Sequence, residues 1–292
     1  MPNILGIGIA TLDVINTVDG YPAEDSEVRA LRQEMRRGGN CTNTLVVLSQ
    51  LGHRCAWGGV LAVEADSGHI RDDLQRHRID LGAARILERG KVPTSYVTLN
   101  QRNGSRTIVH YRDLPEFGHE DFARIELHDY DWLHFEGRSV AETRHMLERA
   151  KALAPATPRS VEIEKPRPDL DQLFACADVL LFSRHYALAR GYSDPRRFLD
   201  GIARETDHAA RLLAWGEEGA YALDRNGRLF HSPAYPPPQL IDTLGAGDTF
   251  NAGIIDALLR GLTLEEALHQ ACRLAGRKCG QPGLDSIAPQ RG

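Results

Sequence analysis

Apolar positions along this chain follow two periods in turn. Residues 4–9 form a short, nearly continuous apolar run around Gly6 and Gly8, the pattern of a strand buried on both faces. Leu45, Val46, Leu48 and Leu51 then recur at helical spacing, with Gly52 placed to end the helix. The same alternation predicts strands over 160–164 and 179–182 and helices over 141–153 and 195–205. Strand and helix in alternation predict an α/β fold, a doubly wound and mostly parallel sheet flanked by helices.

Two stretches, 13–32 and 93–111, break that rhythm. The second holds Ser95-Tyr-Val-Thr-Leu99, the turn pair Asn103-Gly104, and Thr107-Ile-Val-His-Tyr111, which together predict a β-hairpin. The hairpin can stand off as a flap over a site or extend an edge of the main sheet, and the pattern serves both. No repeat or long linker interrupts 1–292, so a single domain with an insertion is expected, residues 13–35 and 93–115 forming a discontinuous β lid in the flap version.

Composition narrows the chemistry. The net charge of −5 comes from dispersed acids and bases, so no basic face points to nucleic acid or a membrane surface. Arg32, Arg36 and Arg37 read as a solvated surface cluster. No apolar run reaches the ~20 residues of a bilayer span, and Met1-Pro-Asn3 leads directly into a strand-like segment without a secretion signal, so a cytoplasmic protein is expected. Five cysteines without a C-x-x-C pair read as free thiols. His110, His119, His128 and His134 show no metal-ligand spacing.

The segment Asp242-Thr-Leu-Gly-Ala-Gly-Asp-Thr-Phe250 precedes the helical pattern Ile254, Ile255, Leu258, Leu259. Gly245 and Gly247 at a helix N-terminus let backbone N–H groups converge on an anion such as phosphate. A carboxylate directly behind such a hole repels an anion but suits phosphoryl transfer, where it accepts the proton of the attacking hydroxyl. Asp248 is therefore a candidate base; Asp248 or Thr249 as a mere helix cap fits the local pattern equally. In Arg37-Gly-Gly-Asn-Cys-Thr-Asn43, Asn40 and Asn43 share one helix face. With Asp13 they offer a cradle for sugar hydroxyls, although Asn40 also reads as a cap and Gly38-Gly39 as a surface turn. Neither G-x-x-x-x-G-K-[ST] nor a complete dinucleotide fingerprint is present.

Asp242-Thr-Leu-Gly-Ala-Gly-Asp248 resembles the C-terminal signature of the ribokinase (PfkB) family, and Gly-Gly-Asn-x-x-Asn at 38–43 is similar to its N-terminal sugar-binding motif. The segments at 21–27, 104–107, 162–167, 214–220 and 278–280 resemble the ketohexokinase branch, departing from it at Gly216, where alanine is usual, and in a shorter 111–115. The resemblance implies a ribokinase-like fold with a β lid and a kinase using ATP with Mg2+. It makes Asp248 the catalytic base and Gly245, Ala246 and Gly247 the anion hole. Asp13, Gly39, Asn40 and Asn43 become sugar contacts, and Arg106, Gly216, Glu217, Glu218 and Gly219 nucleotide contacts. It further implies a homodimer through the lid and a monovalent cation such as K+ near the anion hole, with no ligands assignable. The implied reaction turns D-fructose into fructose 1-phosphate; ribose, tagatose, 2-keto-3-deoxygluconate or adenosine are alternative acceptors, and a non-catalytic sugar or nucleotide sensor is the third reading.

Overall fold

The computed structural model describes residues 1–206 and 208–287, so of the domain expected over 1–292, Asp207 and 288–292 lie outside the described residues. A nine-stranded sheet runs in the order Leu229–Ser232, Ala220–Leu223, Ala210–Ala214, Val179–Ser183, Arg159–Ile163, Trp132–Glu136, Asn3–Ile7, Arg54–Gly58, Ile79–Asp80. From Ala210–Ala214 to Ile79–Asp80 all neighbours are parallel; the two strands at the other edge are antiparallel. Trp132–Glu136 and Arg159–Ile163 are buried at every residue, which is what a parallel strand covered on both faces requires.

The first strand, Asn3–Ile7, lies inside the sheet. The chain leaves it for Arg54–Gly58 on one side and later returns to Trp132–Glu136 on the other. That reversal is a topological switch point, and the crevice beyond the carboxyl ends of such strands is where α/β sheets hold ligands. The helices Asn40–Gln50, Ala246–Leu259 and Leu264–Cys279 pack in series. Their buried Leu45, Val46, Leu48, Ile254, Ile255 and Leu268 join the core that includes Ile4, Leu5, Trp57, Phe135 and Val161.

The helix predicted over 195–205 runs as Pro195–Ile202, with Asp194 accepting from the Arg197 N–H at 2.8 Å, and 203–205 tightens into a 3-10 turn. The predicted hairpin forms, with Gly104 at φ 69° in its turn, but it stands apart from the main sheet. Arg32–Gly38, Thr11–Val18, Thr94–Asn100 and Arg106–Tyr111 make a separate four-stranded sheet in that order. Arg36, Asp13, Ser95 and His110 oppose one another across it and share a face; Met35, Val14, Tyr96 and Val109 share the other. All five cysteines are free. Among the described residues no helix is long and apolar enough to cross a membrane.

Candidate active site

A cavity of about 690 Å³ opens between the four-stranded sheet and the carboxyl ends of Arg159–Ile163, Val179–Ser183 and Ala210–Ala214, walled by Asp13, Gly39, Asn40, Asn43, Arg106, Gly245, Gly247 and Asp248. Residues from both ends of the sequence thus converge on one space. Gly216, Glu217, Glu218 and Gly219 do not reach this wall. Gly216–Glu218 form a 3-10 turn, and Glu217 and Glu218 line a separate hollow with Tyr221 and Pro233. Ala214, at the end of the preceding strand, does line the main cavity.

Gly245 caps the helix Ala246–Leu259 in the left-handed conformation, φ 78°, which a side chain resists. The Thr249 N–H and hydroxyl both donate to the Gly245 carbonyl, at 2.9 and 2.8 Å, so Asp248 is not spent as a cap. Its Oδ2 instead accepts from Asn43 Nδ2 at 2.7 Å. The Ala246 N–H donates to the Thr243 carbonyl at 3.2 Å, which turns it from the cavity, whereas the space in front of Gly247 is open, a Cβ there meeting nothing within 4 Å. Burial pushes the Asp248 carboxyl up to about 7, against the hydrogen bond from Asn43, and nearby Glu164 and Glu136 add to the rise.

Asn40 does not cap its helix either; the N-cap is Gly39, at φ 105°. Asn40 Nδ2 donates to Glu162 Oε1 at 3.3 Å, and Asn251 Nδ2 donates to the same oxygen at 3.0 Å. The other oxygen, Glu162 Oε2, is buried without a partner. Burial, followed by the charges of Asp248, Glu136 and Glu164, holds the Glu162 carboxyl well above its usual value. Asp13 accepts from the Thr11 hydroxyl at 3.0 Å, and burial raises its carboxyl as well.

Arg37 corrects the surface reading of the basic cluster. Arg32 is 71% exposed as expected and Arg36 is half-buried, but the Arg37 side chain is only 3% exposed. Its Nε donates to Asp73 at 2.6 Å, and its Nη1 donates to Thr42 Oγ1 at 2.9 Å and Asn43 Oδ1 at 2.7 Å. With that oxygen engaged by a donor, Asn43 turns its NH2 toward the cavity and Asp248.

Sequence reasoning also missed Glu162, Glu164 and Asn251 as cavity residues, and the anchor behind the glycine loop. Asn251 was discoverable, lying three residues beyond Asp248 on the same helical face. Lys278 is fully buried and its Nζ reaches the Asp242 carbonyl at 2.8 Å and Oδ2 at 3.1 Å. Burial alone would raise the Asp242 carboxyl, but the N–H groups of Gly283 and Leu244 and the Lys278 ammonium hold it below its usual value. Arg36 of the four-stranded sheet meets the same carboxylate at 3.4 Å. Away from the cavity, His119 sits with Glu142 and His145, ligand atoms within 4.8 Å of one another; the sequence spacing hid this group because His119 comes from a different helix.

The pfkB family carbohydrate kinase model matches residues 1–291. Ketohexokinase of Mus musculus is 43% identical over 296 residues, covering 97% of this chain and 98% of its own. The ATP-dependent ribose-1-phosphate kinase of Halopiger xanaduensis is 25% identical, covering 98% and 95%. Among solved structures, Arabidopsis thaliana ribokinase complexed with ribose and ATP superposes with a TM-score of 0.82 at 18% identity, covering 99% and 96%. The cavity at the strand ends, the glycine-capped helix carrying Asp248 and the whole-length match lead to one conclusion: the chain is a carbohydrate kinase of the pfkB family.

Proposed function

We propose that this enzyme transfers the γ-phosphoryl group of ATP to a ketohexose, converting D-fructose to fructose 1-phosphate. The observation that carries the reading is Asp248, buried at the end of the glycine loop beside Asn43, within a chain 43% identical to mouse ketohexokinase. Asp13, Gly39, Asn40 and Asn43 hold the sugar, with Asn43 acting as a donor because its oxygen is occupied. One oxygen of Asp248 is held by Asn43, and the other accepts the proton of the attacking hydroxyl. The backbone of Gly245 to Gly247 faces the charge that develops on the transferred group; Ala246 contributes by shaping the turn. Arg106, at the cavity mouth, meets the nucleotide's phosphates, and Gly216 to Gly219 border its base and ribose.

Magnesium belongs to this reading. Glu162, with its unpartnered buried oxygen, and Glu164 on the same wall are the hard oxygen donors that would hold it through its waters. When bound, it supplies neutralisation of charge on the phosphates. As a user of ATP the enzyme is expected in the cytoplasm. A homodimer through the lid is also part of the proposal, supported by Tyr96 and Val109, paired on one face of the four-stranded sheet and 48% and 66% exposed.

The test is ADP release with ATP and magnesium across fructose, tagatose, ribose, adenosine and 2-keto-3-deoxygluconate, with the phosphorylated carbon identified by NMR. Selective turnover of fructose at carbon 1 is expected. Preference for another acceptor would replace the substrate and keep the mechanism; no turnover on any would favour a sugar or nucleotide sensor.

A further inference from the structure

We infer that Arg37 is a positioning residue of the phosphoryl-transfer site, setting the orientation of the Asn43 amide and through it the orientation of Asp248. The inference rests on the reading of Asp248 as the base.

An asparagine side chain has one accepting end and one donating end, and rotation by half a turn exchanges them. Asn43 is held at both ends. Arginine has only donors, so the atom 2.7 Å from Arg37 Nη1 is the amide oxygen. The amide nitrogen is thereby aimed at Asp248 Oδ2, also at 2.7 Å. The guanidinium cannot drift, because Nε is tied to Asp73 at 2.6 Å and Nη1 also donates to Thr42 at 2.9 Å. Asp73 comes from the helix Ala65–Arg76, and its second oxygen is engaged by Arg76. A single chain of contacts therefore links Asp73, Arg37, Asn43 and Asp248.

This chain does two things for the reaction. It occupies one oxygen of the base with a donor, so that the other oxygen is the one presented to the sugar hydroxyl. It also leaves the amide of Asn43 with only its second N–H for the sugar, so the hydroxyl that meets it does so as an acceptor. A flipped amide would set its oxygen against the carboxylate and push the base out of line. Because Arg37 stands at the end of the lid strand Arg32–Gly38 and Asn43 lies in the first turns of the helix that follows, the alignment depends on the lid strand being in place.

The experiment is a double-mutant cycle on the sugar selected by the substrate panel. Arg37→Met removes the donors and keeps most of the volume. It is expected to lower kcat on the order of a hundredfold, as misalignment of a reacting group does, with KM for ATP changed by less than about twofold. The loss should not add to that of Asn43→Ala: if Arg37 acts through Asn43, the double variant is no slower than Asn43→Ala alone. Where Arg37→Met does not fold, Arg37→Lys serves in the same cycle, since one ammonium cannot satisfy Asp73, Thr42 and Asn43 in the planar fork. Near-parental kcat in a folded Arg37 variant, or losses that multiply in the double variant, would overturn the inference. Asp248→Asn measured alongside separates the two layers: normal turnover there removes the base reading, whereas a dead Asp248→Asn with unimpaired Arg37 variants removes only the role of Arg37.

Discussion

At the scale of single residues, the surroundings of Asp248, the proposed base, set the pH at which it would act. Burial, with Glu164 and Glu136 nearby, lifts its carboxyl to about 7. A base acts when ionised, and a raised value means it becomes protonated as pH falls through that range. In kcat/KM, which reports the free enzyme, activity should fall about tenfold per pH unit below about 7 and level off above it. A profile flat from pH 5 to 8 would contradict the assignment. Asp248→Asn should lower kcat by about 10²–10⁴-fold while leaving ATP affinity, read by calorimetry, nearly unchanged because the glycine loop stays intact. The motif around Asp248 was legible because its residues are contiguous. Arg37 was not: Asp73, 36 residues further along, makes burial of that guanidinium tolerable, and no local pattern reveals a distant partner.

Glycine and a buried lysine hold the elements that present these groups. Gly39 joins the strand Arg32–Gly38 to the helix Asn40–Gln50 at φ 105°, and a Cβ there would run into the Ile9 carbonyl oxygen. Gly39→Ala should cost about 1–3 kcal/mol of stability from backbone strain alone, seen as a lower midpoint in urea unfolding; an unchanged midpoint would mean that the turn relaxes freely. Behind the glycine loop, Lys278→Met would leave the half-buried Asp242 without its ammonium. The expected loss approaches the roughly 3–5 kcal/mol seen when a buried pair is broken, with a raised KM for ATP as the loop loosens. An unaltered Tm and KM would show that Gly283, Leu244 and Arg36 suffice. Strands and helices were legible to within a residue or two where apolar periodicity is strong, as at 160–164 and 141–153 against the observed Arg159–Ile163 and Val140–Leu153. The 195–205 helix was drawn too long because nothing in its sequence marks the passage from α to 3-10 geometry at Ala203.

At the scale of the whole molecule, a mostly parallel nine-stranded sheet carries a four-stranded sheet across the cavity at its strand ends. That second sheet turns one face, with Asp13 and Arg36, to the cavity. Its other face carries Tyr96 and Val109 outward, the pair proposed above to meet a second copy. Light scattering should give the mass of a dimer, and Val109→Asp should shift it toward the monomer; a monomeric parent enzyme would refute the lid dimer. By itself the sequence determined the α/β class, the hairpin, the glycine loop with Asp248 and the paired amides of Asn40 and Asn43, because each depends on residues close together in the chain. Only the tertiary structure decided that the hairpin leaves the main sheet, that Glu162 and Asn251 join the site, and that Arg37 is buried against Asp73 and Asn43. Those outcomes depend on which distant segments meet. Pairing partners and burial are set by the packing of the whole core, and local periodicity does not encode them.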